Sequence, residues 1–310
     1  MRLLSLTLLA AMLCAGDEPK STPQRSNKQT LHVAASDPEP LQDKSAFRAT
    51  IDGQPGKVIR ALGPDDDLVL LVVLDWSGEP TLLDAAREAL SAQVAKLAPN
   101  HWVGLLKAQD VLQTLSDPTN DRDKTAAAIQ AYPAVGKAGF LDSVEQVSSI
   151  AQRLIEKSAV RVAVLYVSDS NIYNYREDYT NPVINSSDSR DLSRRFPDQL
   201  VREKLQKVSE RLARLEAPLY FVHLNYFSDP INEAYQRGIL QLVNESGGAG
   251  AFCRSRGEIA TAIENVITQA TRHWSVAVEF PTRRARSVIV DLFHGDRDIP
   301  NRARFALHNR

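Results

Sequence analysis

Residues 68–79 read LVLLVVLDWSGE, an aliphatic run that breaks into Asp75-Trp76-Ser77-Gly78-Glu79. A short apolar, β-branched run closed by Gly and followed by helical periodicity predicts a central strand that ends in a loop. In open α/β sheets ligands gather outside the carboxyl ends of such strands, and Asp75 and Ser77 fall there. An Asp and a Ser two residues apart on that edge present hard oxygen atoms suited to a small divalent cation.

Working outward, strand and helix patterns alternate. Residues 80–97 place Leu82, Leu83, Ala86, Leu90, Val94 and Leu97 at helical spacing, with Pro80 at the start, where its missing N–H costs nothing. Residues 101–107 and 111–115 read as short strands joined by a tight turn at Gln109-Asp110. Residues 121–131 and 140–156 read as helices, and 160–167 (VRVAVLYV) as a buried strand ending in Ser168-Asp169-Ser170. Beyond a long polar stretch, 171–197, come a helix (198–215), a strand (218–224), a helix (231–244), a strand (250–253) and a helix (258–271). Parallel strands need crossover helices, so the pattern predicts an α/β fold with a doubly wound, mostly parallel six-stranded sheet over residues 66–272. The turn at Gln109 is too tight for a crossover, which makes one edge strand antiparallel.

Both ends follow a different rhythm. Residues 47–62 form two alternating stretches around Asp52-Gly53, a dipeptide suited to positive φ in a hairpin turn. Residues 273–280, 287–293 and 302–307 alternate polar and apolar positions, as strands with one solvated face do. Together, 47–62 and 273–310 predict a small β annex built from both ends of the chain. Residues 17–46 are polar and rich in Pro and Ser, and read as a disordered tether. Residues 1–16 read as a secretory signal: Arg2, a short apolar core, then Cys14-Ala15-Gly16. The expectation is an exported protein, periplasmic or secreted, without a membrane-spanning segment. Leu13 before Cys14 argues against a lipid anchor. Cleavage there leaves Cys253 as the one cysteine, so no intrachain disulfide is expected, and it reads as a small buried hydrophobe.

The formal net charge of −1 argues against nucleic-acid binding, which needs a large basic surface. The arginines crowding the C-terminus, Arg283 to Arg310, are interleaved with Asp291, Asp296 and Asp298 and read as a solvated strand face. The histidines are scattered, and no nucleophile elbow, phosphate loop or dinucleotide fingerprint is present. The chain is expected not to be an enzyme.

The order strand-DxSxE, helix, tight β pair, short helix, helix, strand-SD resembles the von Willebrand factor A (VWA) fold. More narrowly, FRATIDGQPGKVIRAL, LVVLDWSGE, SDPTNDRDKTAAAI, GKAGFLDSV, VLYVSDS and RHWSVAVEF are similar to stretches of the VWFA-related domain proteins of acidobacteria. That resemblance implies a metal-ion-dependent adhesion site in which Asp75, Ser77, Glu79 and Asp169 are the candidate ligands of Mg²⁺ or Mn²⁺. Two positions depart from the pattern: Glu79 stands where a Ser is expected, and Ala138 where a Thr ligand is expected. Ala has no ligand atom, and a further anion would satisfy the metal internally and repel an acidic partner. The expectation is therefore a degenerate site, with no cofactor or only weakly bound Mg²⁺ or Mn²⁺.

The 171–197 stretch carries NIYNYREDYTNP, a composition suited to protein contact surfaces. Tyr173, Tyr175 and Tyr179 are candidate partner-binding residues. Trp76 is read either as a further exposed aromatic or as a packed loop anchor. The leading expectation is an exported, non-catalytic binding module that contacts a protein partner through the loop edge 75–79, 136–142 and 169–197. The alternatives are a structural scaffold of an envelope assembly and a metal-dependent hydrolase.

Overall fold

A computed structural model describes residues 28–36, 41, 43–180, 197–281 and 285–307. The expected signal, the tether's residues 17–27, the Tyr-rich loop's residues 181–196 and the arginines Arg283, Arg284 and Arg310 lie outside the described residues.

In chain order the elements are β1 Lys28–Ala35, β2 Phe47–Ile51, β3 Gln54–Leu62, β4 Leu68–Asp75, α1 Pro80–Ala95, β5 His101–Lys107, β6 Gln113–Thr119, α2 Arg122–Ala131, α3 Phe140–Lys157, β7 Arg161–Ser168 and α4 Pro197–Leu212. There follow β8 Leu219–His223, α5 Pro230–Glu245, β9 Gly250–Phe252, α6 Ile259–Arg272, β10 Trp274–Pro281, β11 Ser287–His294, β12 Arg297–Ile299 and β13 Arg304–Ala306.

The mixed α/β expectation holds. One sheet has the order β6-β5-β4-β7-β8-β9, with all neighbours parallel except β5 and β6. β4 is apolar along its length because both faces are covered. Leu68, Leu70, Val72 and Leu74 pack among residues of α1 and α6, while Leu71 and Val73 pack among residues of α3, α4 and α5. Sequence sets the helix starts too: Asp121 accepts from the N–H of Lys124 to cap α2, and Asp229 accepts from Asn232 to cap α5 ahead of Pro230. The chain leaves β4 toward β5 on one side and returns to β7 on the other. The carboxyl ends of β4 and β7 therefore flank the switch point of the sheet.

The edge strand β6 starts later than residues 111–115 suggest, at Gln113. Asp110 has φ 58 and Val111 is exposed, so the turn consumes the first apolar residue. Pro118 sits in β6 because an edge strand tolerates a missing donor.

The annex is larger than expected. It is a seven-stranded antiparallel sheet ordered β1-β10-β3-β2-β11-β12, with β13 also paired to β11. β1 is a correction to the tether at residues 28–35. There Leu31, Val33 and Ala35 turn into a core with Trp274, Val276 and Val278, and β1 pairs along the whole of β10. The Asp52-Gly53 turn is as expected, with φ 50 and 72. The strand expected at residues 302–307 is only Arg304–Ala306, because the Arg302 N–H donates to the Ala34 carbonyl of β1 rather than to β11, and β12 was not foreseen.

Two buried arginines join the sheets. Arg161 at the start of β7 donates to the carbonyls of Thr271 (2.7 Å), His273 (3.0 Å), Pro64 (2.9 Å) and Asp66 (2.9 Å), which lie on both connections to the annex. Arg302 donates to the carbonyls of Ala213 (2.7 Å) and Leu215 at the end of α4, where a cation complements the helix dipole. Beside it His32 of β1 meets Glu216 at 2.7 Å. No helix among the described residues is long and apolar enough to cross a membrane.

Candidate functional site at the carboxyl edge

Parallel pairing places Asp75 beside Ser168, so the loops after β4 and β7 share one edge. Asp75 is completely buried. Its Oδ1 accepts from the Gly139 N–H at 2.8 Å and its Oδ2 from the Ser168 hydroxyl at 3.0 Å. Burial pushes its pKa up to about 7 against these two hydrogen bonds. Gly139 must be glycine for this contact: a Cβ there would stand 1.8 Å from the Ala108 carbonyl oxygen.

Asp169 is 6% exposed, and its Oδ1 accepts from the Ser77 N–H at 2.6 Å and the Ser77 hydroxyl at 3.3 Å. Burial raises its pKa as well. Glu79 is exposed at the start of α1, where its Oε1 accepts from the Thr81 hydroxyl at 3.0 Å. Ala138 is buried, and its N–H donates to the Asn174 carbonyl at 3.0 Å.

The fold thus brings Asp75, Ser77 and Asp169 together and leaves Glu79 at the rim. This donor set does not fit a small dication. Mg²⁺ wants several oxygens free to converge in near-octahedral array. Here both Asp75 oxygens are taken by donors in a closed interior, Asp169 holds the Ser77 loop, and Ala138 supplies nothing. Among the described residues no three His, Cys, Asp or Glu side chains are grouped to hold a metal.

The expected partner-binding aromatics divide sharply. Tyr173 is 55% exposed, and its hydroxyl donates to Asp229 at 3.2 Å. Tyr175 and Tyr179 are corrections, being 5% and 7% exposed. A parallel bridge between Tyr175 and Ala138 turns that ring inward, where its hydroxyl lies 2.6 Å from that of Tyr235 and accepts from the Leu141 N–H at 3.3 Å. The Tyr179 hydroxyl donates to Asp142, and its ring lies beneath Lys204 at 4.5 Å. Trp76 takes the packed-anchor alternative. It is fully buried, 5.7 Å from the Tyr132 ring and 5.3 Å from the Arg87 guanidinium.

Sequence reasoning passed over two parts of this edge. One is a buried polar relay. Ser170 meets Tyr235 at 2.8 Å, and His223 donates from Nε2 to the Ser170 carbonyl at 3.0 Å while its Nδ1 accepts from the Asn225 N–H. The other is a cleft of about 350 Å³ whose lining includes Ser77, Glu79, Asp169, Asn171, Tyr173 and Asn225. Asn225 was findable, because it lies two residues beyond the end of β8, on the same edge. The cleft lining includes carboxylates, amides and aromatic residues. Burial pushes the Cys253 thiol up to about 11 and holds His223 down at about 4.

These features define an α/β protein whose candidate site is the switch-point edge of a doubly wound sheet. No protein-family model matches the chain, and no curated protein matches it. Solved structures similar to it include an aerotolerance-related membrane protein from Bacteroides fragilis, with 13% identity, a TM-score of 0.40, and coverage of 66% of this chain and 98% of that one. Another is the VWA domain of SpRpn10, with 13% identity, a TM-score of 0.39, and coverage of 66% and 94%. A third is proximal thread matrix protein 1 of the mussel byssus with a zinc-occupied MIDAS motif, with 8% identity, a TM-score of 0.44, and coverage of 72% and 49%. Likenesses this distant do not assign a function, and the fold described above rests on strand order and register.

Proposed function

We propose that this chain is an exported, non-catalytic VWA-like binding module that contacts a protein partner through the carboxyl edge of its parallel sheet. The observation that carries the reading is the division of labour at that edge. Both carboxylate oxygens of Asp75 and Oδ1 of Asp169 accept hydrogen bonds that order the loops, while Tyr173, Glu79 and the cleft between them face outward. The DxSxE strand end supports the VWA-like assignment, as does its place at the switch point. The narrower likeness to VWFA-related proteins rests on the sequence stretches alone. In this reading the adhesion site is degenerate, and its scaffold serves to present a surface.

Two experiments test this. Calorimetric titration of chelator-stripped protein with Mg²⁺ and Mn²⁺ is expected to give no saturable heat; binding that Asp75→Ala abolishes would restore the metal mechanism. A photo-crosslinking residue replacing Tyr173, introduced in the source cells, is expected to trap a protein adduct that the same residue at Lys57 of the annex does not. Equal labelling at both positions, or none at either, removes the loop-edge reading.

A further inference from the structure

The edge is negative where a metal-dependent site would be positive. A bound dication turns such an edge into a receptor for carboxylates. Here the cleft lining holds the carboxylates of Glu79 and Asp169 and contains no Lys or Arg. Glu79 is exposed, with the Thr81 hydroxyl on one oxygen. Asp169 is more than nine-tenths buried yet reaches the cleft beneath Gly78, whose hypothetical Cβ would lie 3.0 Å from Asp169 Oδ2. Further along the rim, Asp229 sits within 3.2 Å of the Tyr173 hydroxyl. Among the described residues beside the lining, Lys137 is held 3.2 Å from Asn174 Oδ1 and the Arg254 guanidinium lies over the Tyr226 ring at 5.3 Å.

The remaining wall is chemically suited to the same ligand. The lining also includes Asn225, an amide residue with an acceptor oxygen, and the aromatic residues Tyr173 and Phe227, a class of ring that attracts cations, while Asn171 Oδ1 accepts from the Tyr173 N–H at 2.9 Å. The volume of about 350 Å³ lies at the small end of the ~300–1,000 Å³ range of binding clefts, which suits one long side chain.

We infer that the cleft between Glu79, Asp169, Tyr173 and Asn225 is a receptor for a lysine or arginine side chain of the protein partner. The inference rests on the loop-edge reading above and inverts the charge that a metal-bearing edge would select. The ammonium or guanidinium is drawn between Glu79 and Asp169, and its aliphatic stem lies along Tyr173 and Phe227. Recognition of this kind weakens with salt, because Glu79 is open to solvent.

The test is a titration of the full chain followed by backbone amide NMR, with N-acetyl-arginine amide, N-acetyl-lysine amide, N-acetyl-aspartate amide with Mg²⁺, and N-acetylglucosamine as probes. The expected result is saturable shifts at Ser77, Gly78, Asn171 and Asn225 with the two cationic probes alone. Glu79→Gln should weaken binding about threefold, the size of one exposed charge contact, and Glu79→Lys should abolish it. Both substitutions fall on an exposed side chain and should leave the remaining amide spectrum in place. Saturation by the aspartate probe with Mg²⁺, saturation by the sugar, or no response to the cations overturns the inference. The crosslinking experiment keeps the two failures apart. Adducts at position 173 that survive Glu79→Lys leave the edge a contact surface but not a cation receptor, whereas loss of adducts in the unsubstituted chain removes the surface itself.

Discussion

Asp75 binds its proton more tightly in the folded chain than its ordinary carboxylate value of 3.8 allows, because burial lifts the pKa to about 7. Between those two values the folded state holds more proton than the unfolded one, so this residue makes stability fall as pH rises through the window. Asp75→Asn keeps an acceptor for the Gly139 N–H and cannot ionise. Its urea midpoint is expected to gain on the parent's as pH rises across that window, and a slope unchanged from the parent would show that Asp75 does not titrate there. Gly139→Ala is expected to cost about 3 kcal/mol in chemical denaturation, because the new methyl overlaps the Ala108 carbonyl. The placement of Asp75, Ser77 and Asp169 on one edge was legible, since strand ends and parallel register fix it. The fate of the tyrosines was not. Whether Tyr175 faces out or in depends on its bridge to Ala138, a contact with no local sequence signature.

At the scale of elements, Arg161 and Arg302 join the two sheets through main-chain carbonyls rather than carboxylates. Truncating either leaves several buried acceptors without a donor, which is costlier than losing one exposed ion pair. Arg302→Met is expected to lower stability by about 3 kcal/mol and to speed amide exchange in β1 and the end of α4 ahead of the rest. A uniform acceleration would mean that the arginine does not act at this seam. β4, β7 and the amphipathic helices could be read directly because burial on one or both faces imposes a period. β1 could not. Its inward residues are interrupted by small and polar ones, and its partner β10 lies at the other end of the sequence, so pairing rather than local propensity makes it a strand.

For the whole molecule, three buried histidines set the response to acid. Burial holds His273 at about 3 and His223 at about 4, and His101, near Arg161, is lowered too. Each is neutral when folded and binds a proton more readily once unfolded. Their contribution to stability is present above the ordinary value of 6.5 and is lost as pH falls through it. These histidines are therefore expected to lower the thermal midpoint on acidification below that value, in the opposite sense to Asp75. His273→Asn, which retains a donor for the Ala270 carbonyl, should flatten the drop. A midpoint that holds steady with acid would exclude these histidines as the cause.

The annex has a consequence for modularity. β3 and β10 are hydrogen-bonded neighbours, with Leu62 opposite Ser275, and the entire α/β body leaves from one and returns to the other. Gly63 seats that exit directly on the Trp274 ring. The antiparallel sheet is therefore a socket with two adjoining contacts. A different body whose ends have the same spacing could be plugged into it without altering the pairing that builds the socket.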